Sequence, residues 1–188
     1  MCAQTSNIQV DLSTYSNKNY NPGPLLKRML WYILAEWLFN SMIPGSNWRI
    51  FLLKIFGAQL GKNIVIKPYV KIKYPWKLKI GNNTWIGEKV WIDNLAPVNI
   101  GNNVCISQGA MLLCGNHNYK KTTFDLITRS ILIEDGAWIG AKSVINPGVI
   151  VKTHTVVTVG SIVIQNTEPY SVYQGNPAIK IRERKITN

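Results

Sequence analysis

Cysteine is scarce in this 188-residue sequence, which contains only three: Cys2, Cys105 and Cys114. An odd number cannot all pair within one chain, and Cys105 falls inside a regular sequence repeat, so no disulfide framework is expected. Unpaired cysteines are typical of reducing compartments. We therefore predict a cytoplasmic protein, either free or at the inner face of the membrane.

Acidic residues are also few, since nine Asp and Glu stand against 21 Lys and Arg and give a formal net charge of +12. Such a chain attracts anions, among them lipid head groups and phosphorylated small molecules. The basic run Lys180, Arg182, Arg184 and Lys185 is short and has no interleaved aromatic residues. It does not indicate a nucleic-acid partner, and none is predicted.

The sequence lacks an uncharged apolar run of the ~20 residues that a membrane-spanning helix needs. Residues 24–43 come nearest, but they contain three charged residues. Their apolar residues recur at helical spacing and predict an amphipathic helix with one stripe: Leu26, Met29, Leu30, Ile33, Leu34, Trp37 and Leu38. A second helix is predicted between Pro44-Gly45 and Gly57. Two interpretations are open: the helices cover the end of the fold, or the first rests on a membrane surface through Trp31, Tyr32 and Trp37, with Lys27 and Arg28.

What the sequence has in abundance is a six-residue repeat, in which an aliphatic residue is followed four positions later by a small or branched one. Glycine in the second place of many copies disfavours a helix by about 1 kcal/mol each. Three hexapeptides instead make one triangular coil of short strands, with Gly, Asn or Asp at the corners. The aliphatic residues are expected to stack inward: Leu60, Ile66, Ile72, Ile80, Ile86, Ile92, Ile100, Ile106, Ile133, Ile139, Ile145, Val151 and Val157.

The repeat predicts an all-β solenoid, a parallel β-helix of about five coils over residues 59–168. A flexible arm (1–23) and a helical cap (24–58) precede it, and a basic C-terminal tail (169–188) follows. One loop insertion, at residues 118–132, interrupts the repeat. Loops on a rigid scaffold are where functional sites are commonly built, so we expect the site there.

The sequence contains only two histidines. His154 falls where the repeat places a corner residue, and it is predicted to be structural. His117 ends the third coil at the mouth of the insertion, and it is predicted to be functional. Two histidines far apart in the chain do not supply the ligands of a zinc centre, so no metal site is predicted.

The block from Cys114 to Pro177 resembles the hexapeptide-repeat acetyltransferases, closest to the exopolysaccharide O-acetyltransferases of the colanic-acid type. Four motifs carry the resemblance: Gly115-Asn116-His117-Asn118-Tyr119, Ile133-Glu134-Asp135-Gly136-Ala137-Trp138-Ile139-Gly140-Ala141, Asn146-Pro147-Gly148-Val149 and Gly175-Asn176-Pro177-Ala178. The helices before Gly57 are similar too, so the resemblance covers nearly all of the chain beyond the arm. It implies a left-handed solenoid, against the general right-handed rule for parallel strands. It also implies a homotrimer with active sites between neighbouring solenoids.

The resemblance further implies transfer of an acetyl group from acetyl-CoA to a hydroxyl of a sugar or lipid-linked saccharide, directly within a ternary complex. His117 is then the general base that takes the proton from the attacking hydroxyl. An imidazole suits this role because it is largely neutral at cellular pH. The family commonly has an acidic residue after this histidine, where this chain has Asn118. An amide can hold a hydroxyl or a ring nitrogen, but it cannot stabilise an imidazolium by charge.

By the same resemblance, acetyl-CoA lies in a groove beside the later coils, where it contacts Trp138, Ala141, Gly160, Ser161, Pro177, Lys180 and Arg182. Arg182, with Lys180, is expected to pair with phosphate. The small residues let the backbone approach the ligand closely. The saccharide acceptor is expected to contact Asn118 and Tyr119 and, more weakly, Asn94.

Three alternatives stay open at this point, while a fourth, zinc chemistry, is not supported by the histidine count. Cys114 lies three residues before His117 and could form a covalent acyl-enzyme. Carbonic anhydrases built on the same solenoid use zinc, but they need three histidines. The solenoid could be a non-catalytic scaffold, although a scaffold has no need of a loop histidine. An aminosugar acceptor would make the reaction an N-acetylation without changing the base.

Overall fold

The computed structural model describes residues 8–187, so residues 1–7, with Cys2 and the start of the predicted arm, and residue 188 lie outside the described part. The rest of the arm contains one short 3₁₀ turn, Leu12–Thr14. It is held along the solenoid, because the Tyr20 hydroxyl donates to the carbonyl of Leu95 at 2.9 Å and the Trp76 indole donates to the carbonyl of Pro22 at 3.2 Å.

The solenoid has three faces, each a sheet of short parallel strands contributed by successive coils. The first face contains Gln59–Leu60, Leu78–Ile80, Val98–Ile100, Ile131–Ile133 and Ile150–Val151. The second contains Val65–Ile66, Trp85–Ile86, Cys105–Ile106, Trp138–Ile139 and Val156–Val157. The third contains Lys71–Ile72, Trp91–Asp93, Met111–Leu113, Val144–Ile145 and Ile162–Val163. A 3₁₀ turn, Pro75–Lys77, leads into the second coil.

The six-residue repeat explains this architecture. From Ile66 to Val157 every predicted aliphatic position is buried, and so are the residues four positions later, from Thr84 to Ser161. The residue three positions after the aliphatic adopts a positive φ at the corners, as at Asn83 (φ 56°) and Asn103 (φ 53°). Asn tolerates this left-handed conformation better than most side chains do. The predicted parallel β-helix with a helical cap is confirmed.

Within the segment predicted as a basic tail (169–188), residues 171–183 extend the solenoid. Ser171–Gly175 pairs in parallel with Val156–Val157 and begins a sixth coil, and Ala178–Glu183 folds back against it as an antiparallel strand. The second face therefore has seven strands, while the other two have five each. The repeat did not predict these strands because Ser171–Gly175 departs from its spacing.

At the insertion, Gly115–His117 pairs antiparallel with Leu126–Thr128 as a two-stranded hairpin. The solenoid resumes at Ile131–Ile133 on the first face. His117 is opposite Leu126 at the far end of this ladder. The hairpin therefore holds His117 at its far end, away from the coil.

The cap contains helix α1 (Leu25–Leu34), a π-helical turn (Ala35–Phe39) and helix α2 (Asn47–Ile55). Trp31, Ala35 and Phe39 are buried and pack with Phe56, and the Trp31 indole donates to the carbonyl of Ile72 at 2.9 Å. The predicted apolar stripe is mostly not the buried face: Leu26, Met29, Leu30, Ile33 and Trp37 are exposed. None of the helices in residues 8–187 is long and apolar enough to cross a membrane.

Candidate active site

The His117 ring is held in one orientation by a hydrogen bond and a stacking contact. Its Nδ1 lies 2.9 Å from the carbonyl oxygen of Phe124. A carbonyl oxygen can only accept, so Nδ1 carries the proton and Nε2 of the neutral ring holds a free lone pair. The ring stacks on Phe124 with centroids 4.4 Å apart and planes 7° apart, and Tyr15 of the arm lies 5.8 Å away. His117 therefore presents one defined proton acceptor.

The loop that carries the Phe124 carbonyl is closed by its own contacts. The Asn118 amide N–H donates to the carbonyl of Asp125 at 2.8 Å, and Lys121 forms an ion pair with Asp125 at 3.0 Å. Hydrogen bonds from Thr123 and Lys121 lower the pKa of the Asp125 carboxyl. Phe124 itself has φ of 49°, a conformation that costs a bulky residue roughly 1–3 kcal/mol and is commonest at functional sites. Sequence reasoning missed Phe124, because no sequence pattern shows which carbonyl a histidine will meet.

Asn118 and Tyr119 lie next to His117, as predicted, but in different surroundings. The Asn118 side-chain oxygen accepts from the Lys120 amide at 3.2 Å and closes the turn. Tyr119 is 71% exposed. Of Asn118 and Tyr119, Tyr119 is the one whose side chain is free to contact a ligand.

Cys114 does not have the properties of a nucleophile. Its side chain is fully buried, and this burial raises the pKa of the thiol to about 11. At neutral pH the thiol is therefore protonated, whereas a nucleophilic cysteine acts as the thiolate. The covalent alternative is disfavoured.

A cavity of about 330 Å³ lies between the cap and the third face of the solenoid. Its wall includes the aromatic side chains of Trp31, Tyr32, Tyr74 and Trp91. Within residues 8–187, three buried side-chain polar atoms have no hydrogen-bond partner: Arg28 Nε, Asn40 Oδ1 and Asp93 Oδ1. All three belong to residues that line this cavity. Such groups are normally satisfied by protein, water or ligand.

Asp93 links this cavity to the hairpin. Its Oδ1 lies 2.9 Å from Lys73 Nζ, which is an ion-pair distance but lacks hydrogen-bond geometry. Its backbone pairs with Leu113, and its Oδ2 lies 3.9 Å from where a Cβ on Gly115 would be. Gly115 begins the strand that ends at His117. Asp93 therefore lines the cavity and also lies next to the first residue of the hairpin strand.

Asn94, predicted as a weak acceptor contact, belongs to the structural frame instead. It is fully buried, its Oδ1 accepts from the Tyr74 amide at 2.9 Å, and its Nδ2 donates to the Tyr74 carbonyl at 2.6 Å. Both polar ends of the side chain are therefore occupied. Of this neighbouring pair, Asp93 is the residue that lines the cavity.

On the second face, the structure brings Trp138 and Arg182 together. The register places Trp138 beside Val156, Val156 beside Val172, and Val172 beside Arg182. Trp138 and Arg182 line a depression of about 280 Å³. The Trp138 indole is 47% exposed and donates to Ser107 Oγ at 2.9 Å, which fixes its plane. An exposed aromatic surface and a guanidinium thus share one groove.

Ala141, Gly160 and Ser161 meet at one corner of the later coils, where the Gly160 amide donates to the Ala141 carbonyl at 2.8 Å. A Cβ at Gly160 would meet nothing within 4 Å, so this corner is open for close approach. Ser161 is buried, and its hydroxyl lies 3.0 Å from Thr158 Oγ1 and accepts from the Gly175 amide at 3.2 Å. Its side chain supports the corner from inside.

Pro177 and Lys180 lie in the last hairpin. Pro177 is exposed in the turn between the two strands. Lys180 is held by Glu168 at 2.5 Å and Glu183 at 2.6 Å, and these carboxylates, Glu168 foremost, raise its pKa. Arg182 is exposed, and no salt bridge among residues 8–187 involves it. Arg182 is therefore the better placed of the two for an added phosphate.

His154 adopts the corner conformation with φ of 55°. Its ring stacks on Tyr170 with centroids 4.7 Å apart, and its Nδ1 lies 2.8 Å from Thr153 Oγ1. These contacts support the predicted structural role. Among residues 8–187, no three His, Cys, Asp or Glu side chains gather where they could hold a metal ion.

The parallel solenoid, its helical cap and the loop histidine define the class of hexapeptide-repeat acetyltransferases, and comparisons with known proteins agree. No protein-family model matches the chain. The chain is 38% identical to the putative colanic acid biosynthesis acetyltransferase WcaF of Escherichia coli strain K12. This match extends over 179 residues and covers 94% of this chain and 98% of that protein. It is 33% identical over 149 residues to the galactoside O-acetyltransferase of the same strain, with 77% and 73% covered.

Among solved structures, a hexapeptide-repeat acetyltransferase of Vibrio cholerae O1 biovar eltor, VCA0836, complexed with acetyl coenzyme A, superposes with a TM-score of 0.77. It is 27% identical in sequence, and the match covers 86% of this chain and 88% of that one. The chain therefore belongs to the hexapeptide-repeat acetyltransferases and is an acetyltransferase.

Proposed function

We propose that this protein transfers an acetyl group from acetyl-CoA to a saccharide hydroxyl in exopolysaccharide biosynthesis, with His117 as general base. The observation that carries the proposal is the orientation of the His117 ring, whose Nδ1–H is held by the Phe124 carbonyl while Nε2 is free. The names of the relatives, one for colanic acid biosynthesis and one for galactoside O-acetylation, support a saccharide acceptor.

In this mechanism, acetyl-CoA supplies the thioester from which the acetyl group leaves. Nε2 of His117 takes the proton from the acceptor hydroxyl as its oxygen attacks the thioester carbonyl. The same nitrogen then returns the proton to the departing sulfur as the carbon–sulfur bond breaks. The products are the acetyl ester and free CoA, and His117 is restored. The Phe124 carbonyl keeps its hydrogen bond to Nδ1 throughout and stabilises the protonated ring.

The groove on the second face fits acetyl-CoA. The exposed Trp138 offers an apolar wall for the pantetheine arm, and Gly160 leaves open space where the chain of the ligand would pass. Arg182 is available for phosphate, with Pro177 in the neighbouring turn. Lys180 already contacts two carboxylates, and Ser161 can contribute only its main chain because its side chain is internal. Ala141 lies at the same corner as Gly160.

We place the saccharide acceptor in the cavity between the cap and the third face. Aromatic side chains such as Trp91 and Tyr74 offer flat apolar surfaces to a sugar ring, and the polar residues Asp93, Asn40 and Arg28 line the same cavity. Tyr119 is exposed on the loop beside His117. We further propose that the protein is a homotrimer, in which a neighbouring solenoid closes the sites that a single chain leaves open.

The test is a screen of acetyl-CoA consumption with nucleotide sugars, free hexosides and polyprenyl-linked saccharides as acceptors. We expect one saccharide class to be acetylated, and the product to release its acetyl group with hydroxylamine at mild pH, as an ester does. A hydroxylamine-stable product would show N-acetylation of an aminosugar instead. No transfer to any saccharide would contradict the proposed acceptor class.

A further inference from the structure

A second hollow, of about 390 Å³, lies between the N-terminal arm and the hairpin that carries His117. The arm contributes residues 16–20 to its lining, and the hairpin contributes Asp125, Leu126 and Thr128. This hollow is called here the arm cleft. The arm and the hairpin are therefore its two walls.

The arm cleft lies on the same face of the hairpin as the His117 side chain. His117 is directly opposite Leu126 in the antiparallel ladder, and opposite residues point to the same face. Thr128 is two positions further along the strand and shares that face, because side chains alternate. On the arm, the ring of Tyr15, the residue before Ser16, lies 5.8 Å from the His117 ring. Both walls of the cleft therefore adjoin the proposed general base.

Hydrogen bonds hold the arm at both ends of the cleft. Before the cleft, the Asp11 amide donates to the Thr122 carbonyl in the loop of the hairpin at 2.9 Å. At its other end, the Tyr20 hydroxyl donates to the Leu95 carbonyl at 2.9 Å. Between these points, the Tyr20 amide donates to the Asn17 carbonyl at 2.8 Å and closes a turn. The arm thus follows a defined course along the cleft.

The lining of the arm cleft has the chemistry of a saccharide site. Four of the lining residues are neutral and polar: Ser16, Asn17, Asn19 and Thr128. Their hydroxyls and amides both donate and accept hydrogen bonds, as the hydroxyls of a sugar do. The charged residues of the lining are Lys18 and Asp125, and Asp125 already forms an ion pair with Lys121. This balance suits a ligand rich in hydroxyls more than a polyanion.

The arm cleft is a neighbour of the cavity between the cap and the third face. Tyr20 lines the cleft, and Tyr74 lines the cavity. The Lys77 ammonium lies over both rings, 4.6 Å from the centroid of Tyr20 and 5.5 Å from the centroid of Tyr74. One side chain therefore contacts the lining of both hollows.

We propose that the arm cleft is a saccharide subsite that holds a second sugar unit of the acceptor, so that the acceptor is an oligosaccharide and not a single sugar. This inference rests on the proposed function, in which the unit that is acetylated has its hydroxyl at Nε2 of His117. The unit in the cleft orients its neighbour toward this nitrogen through hydrogen bonds to the arm. Binding energy from a unit that does not react is thereby used to position the unit that does.

Initial rates of acetyl transfer by the full chain test the proposal. The acceptors are methyl hexosides and the disaccharides and trisaccharides that contain the same hexoses. We expect kcat/KM to rise by at least about tenfold from a hexoside to the disaccharide that contains it, because the added unit makes contacts in the cleft.

The double variant Asn17→Ala, Asn19→Ala removes two amides from the arm wall and keeps the main-chain turn. It should raise the KM for the disaccharide by about tenfold, since two hydrogen bonds to the added unit are lost. The KM values for acetyl-CoA and for the hexoside should stay unchanged. The matched control is Asn99→Ala, which removes a half-exposed amide on the first face and should change none of these values. Circular dichroism verifies that both variants fold.

Two results would overturn the subsite: equal kcat/KM for hexosides and disaccharides, and an unchanged disaccharide KM in the double variant. In either case the acetylation of saccharides by the wild-type chain would leave the proposed function standing. Acetylation of no saccharide at all would instead contradict the proposed function, and the subsite with it.

Discussion

Replacing Asn94 with Ala is expected to lower the stability of the solenoid while leaving its affinity for the acceptor unchanged. The side chain is fully buried and makes two hydrogen bonds to the main chain of Tyr74 in the coil below. Each such bond contributes about 1 kcal/mol, and leaving the Tyr74 amide and carbonyl without partners adds a desolvation cost, so we expect a loss of roughly 2–4 kcal/mol.

Chemical denaturation followed by circular dichroism measures this loss, and initial-rate kinetics give the KM for the acceptor. Asn99→Ala is the matched control, because Asn99 lies half-exposed on the first face and should change stability by less than about 0.5 kcal/mol. Unchanged stability of Asn94→Ala combined with a raised acceptor KM would refute the structural role and return Asn94 to the binding site.

Two further predictions concern the chemistry and the coenzyme. Cys114→Ala should leave turnover nearly intact, because the buried thiol is protonated at neutral pH; complete loss of activity in a variant that still folds would support a covalent acyl-enzyme. Arg182→Ala should weaken CoA binding by about tenfold in calorimetry, whereas Lys180→Ala should weaken it much less, since the Lys180 ammonium already contacts two carboxylates. Equal losses for the two variants would contradict the distinction.

Much of the fold could be predicted from sequence because the solenoid repeats one local arrangement. An aliphatic residue such as Ile106 points inward, the residue three positions later turns the corner, and the residue four positions later is buried. The same rule would have placed Ser161 inside, since it is four positions after Val157. His117 could be singled out because it lies where the repeat stops.

What could not be predicted depends on contacts between distant parts of the chain. The segment of α1 is apolar on two sides, so its sequence alone did not show that Trp31 would be buried and Leu26 exposed. Lys180 was expected to contact phosphate, but its ammonium instead donates a hydrogen bond to Glu168, twelve residues earlier in the chain. The orientation of His117 depends on the strained backbone of Phe124, for which the loop sequence has no recognisable signal.

The most direct test of the account is the turnover of His117→Ala, measured together with CoA binding. We expect turnover to fall by at least ~100-fold while CoA binding persists, because the variant loses only the free Nε2 and its ring. His154→Asn is the matched control, since Asn tolerates the corner conformation and His154 has no part in the proposed chemistry. Turnover of His117→Ala equal to that of the control would contradict the assignment of His117 as the general base.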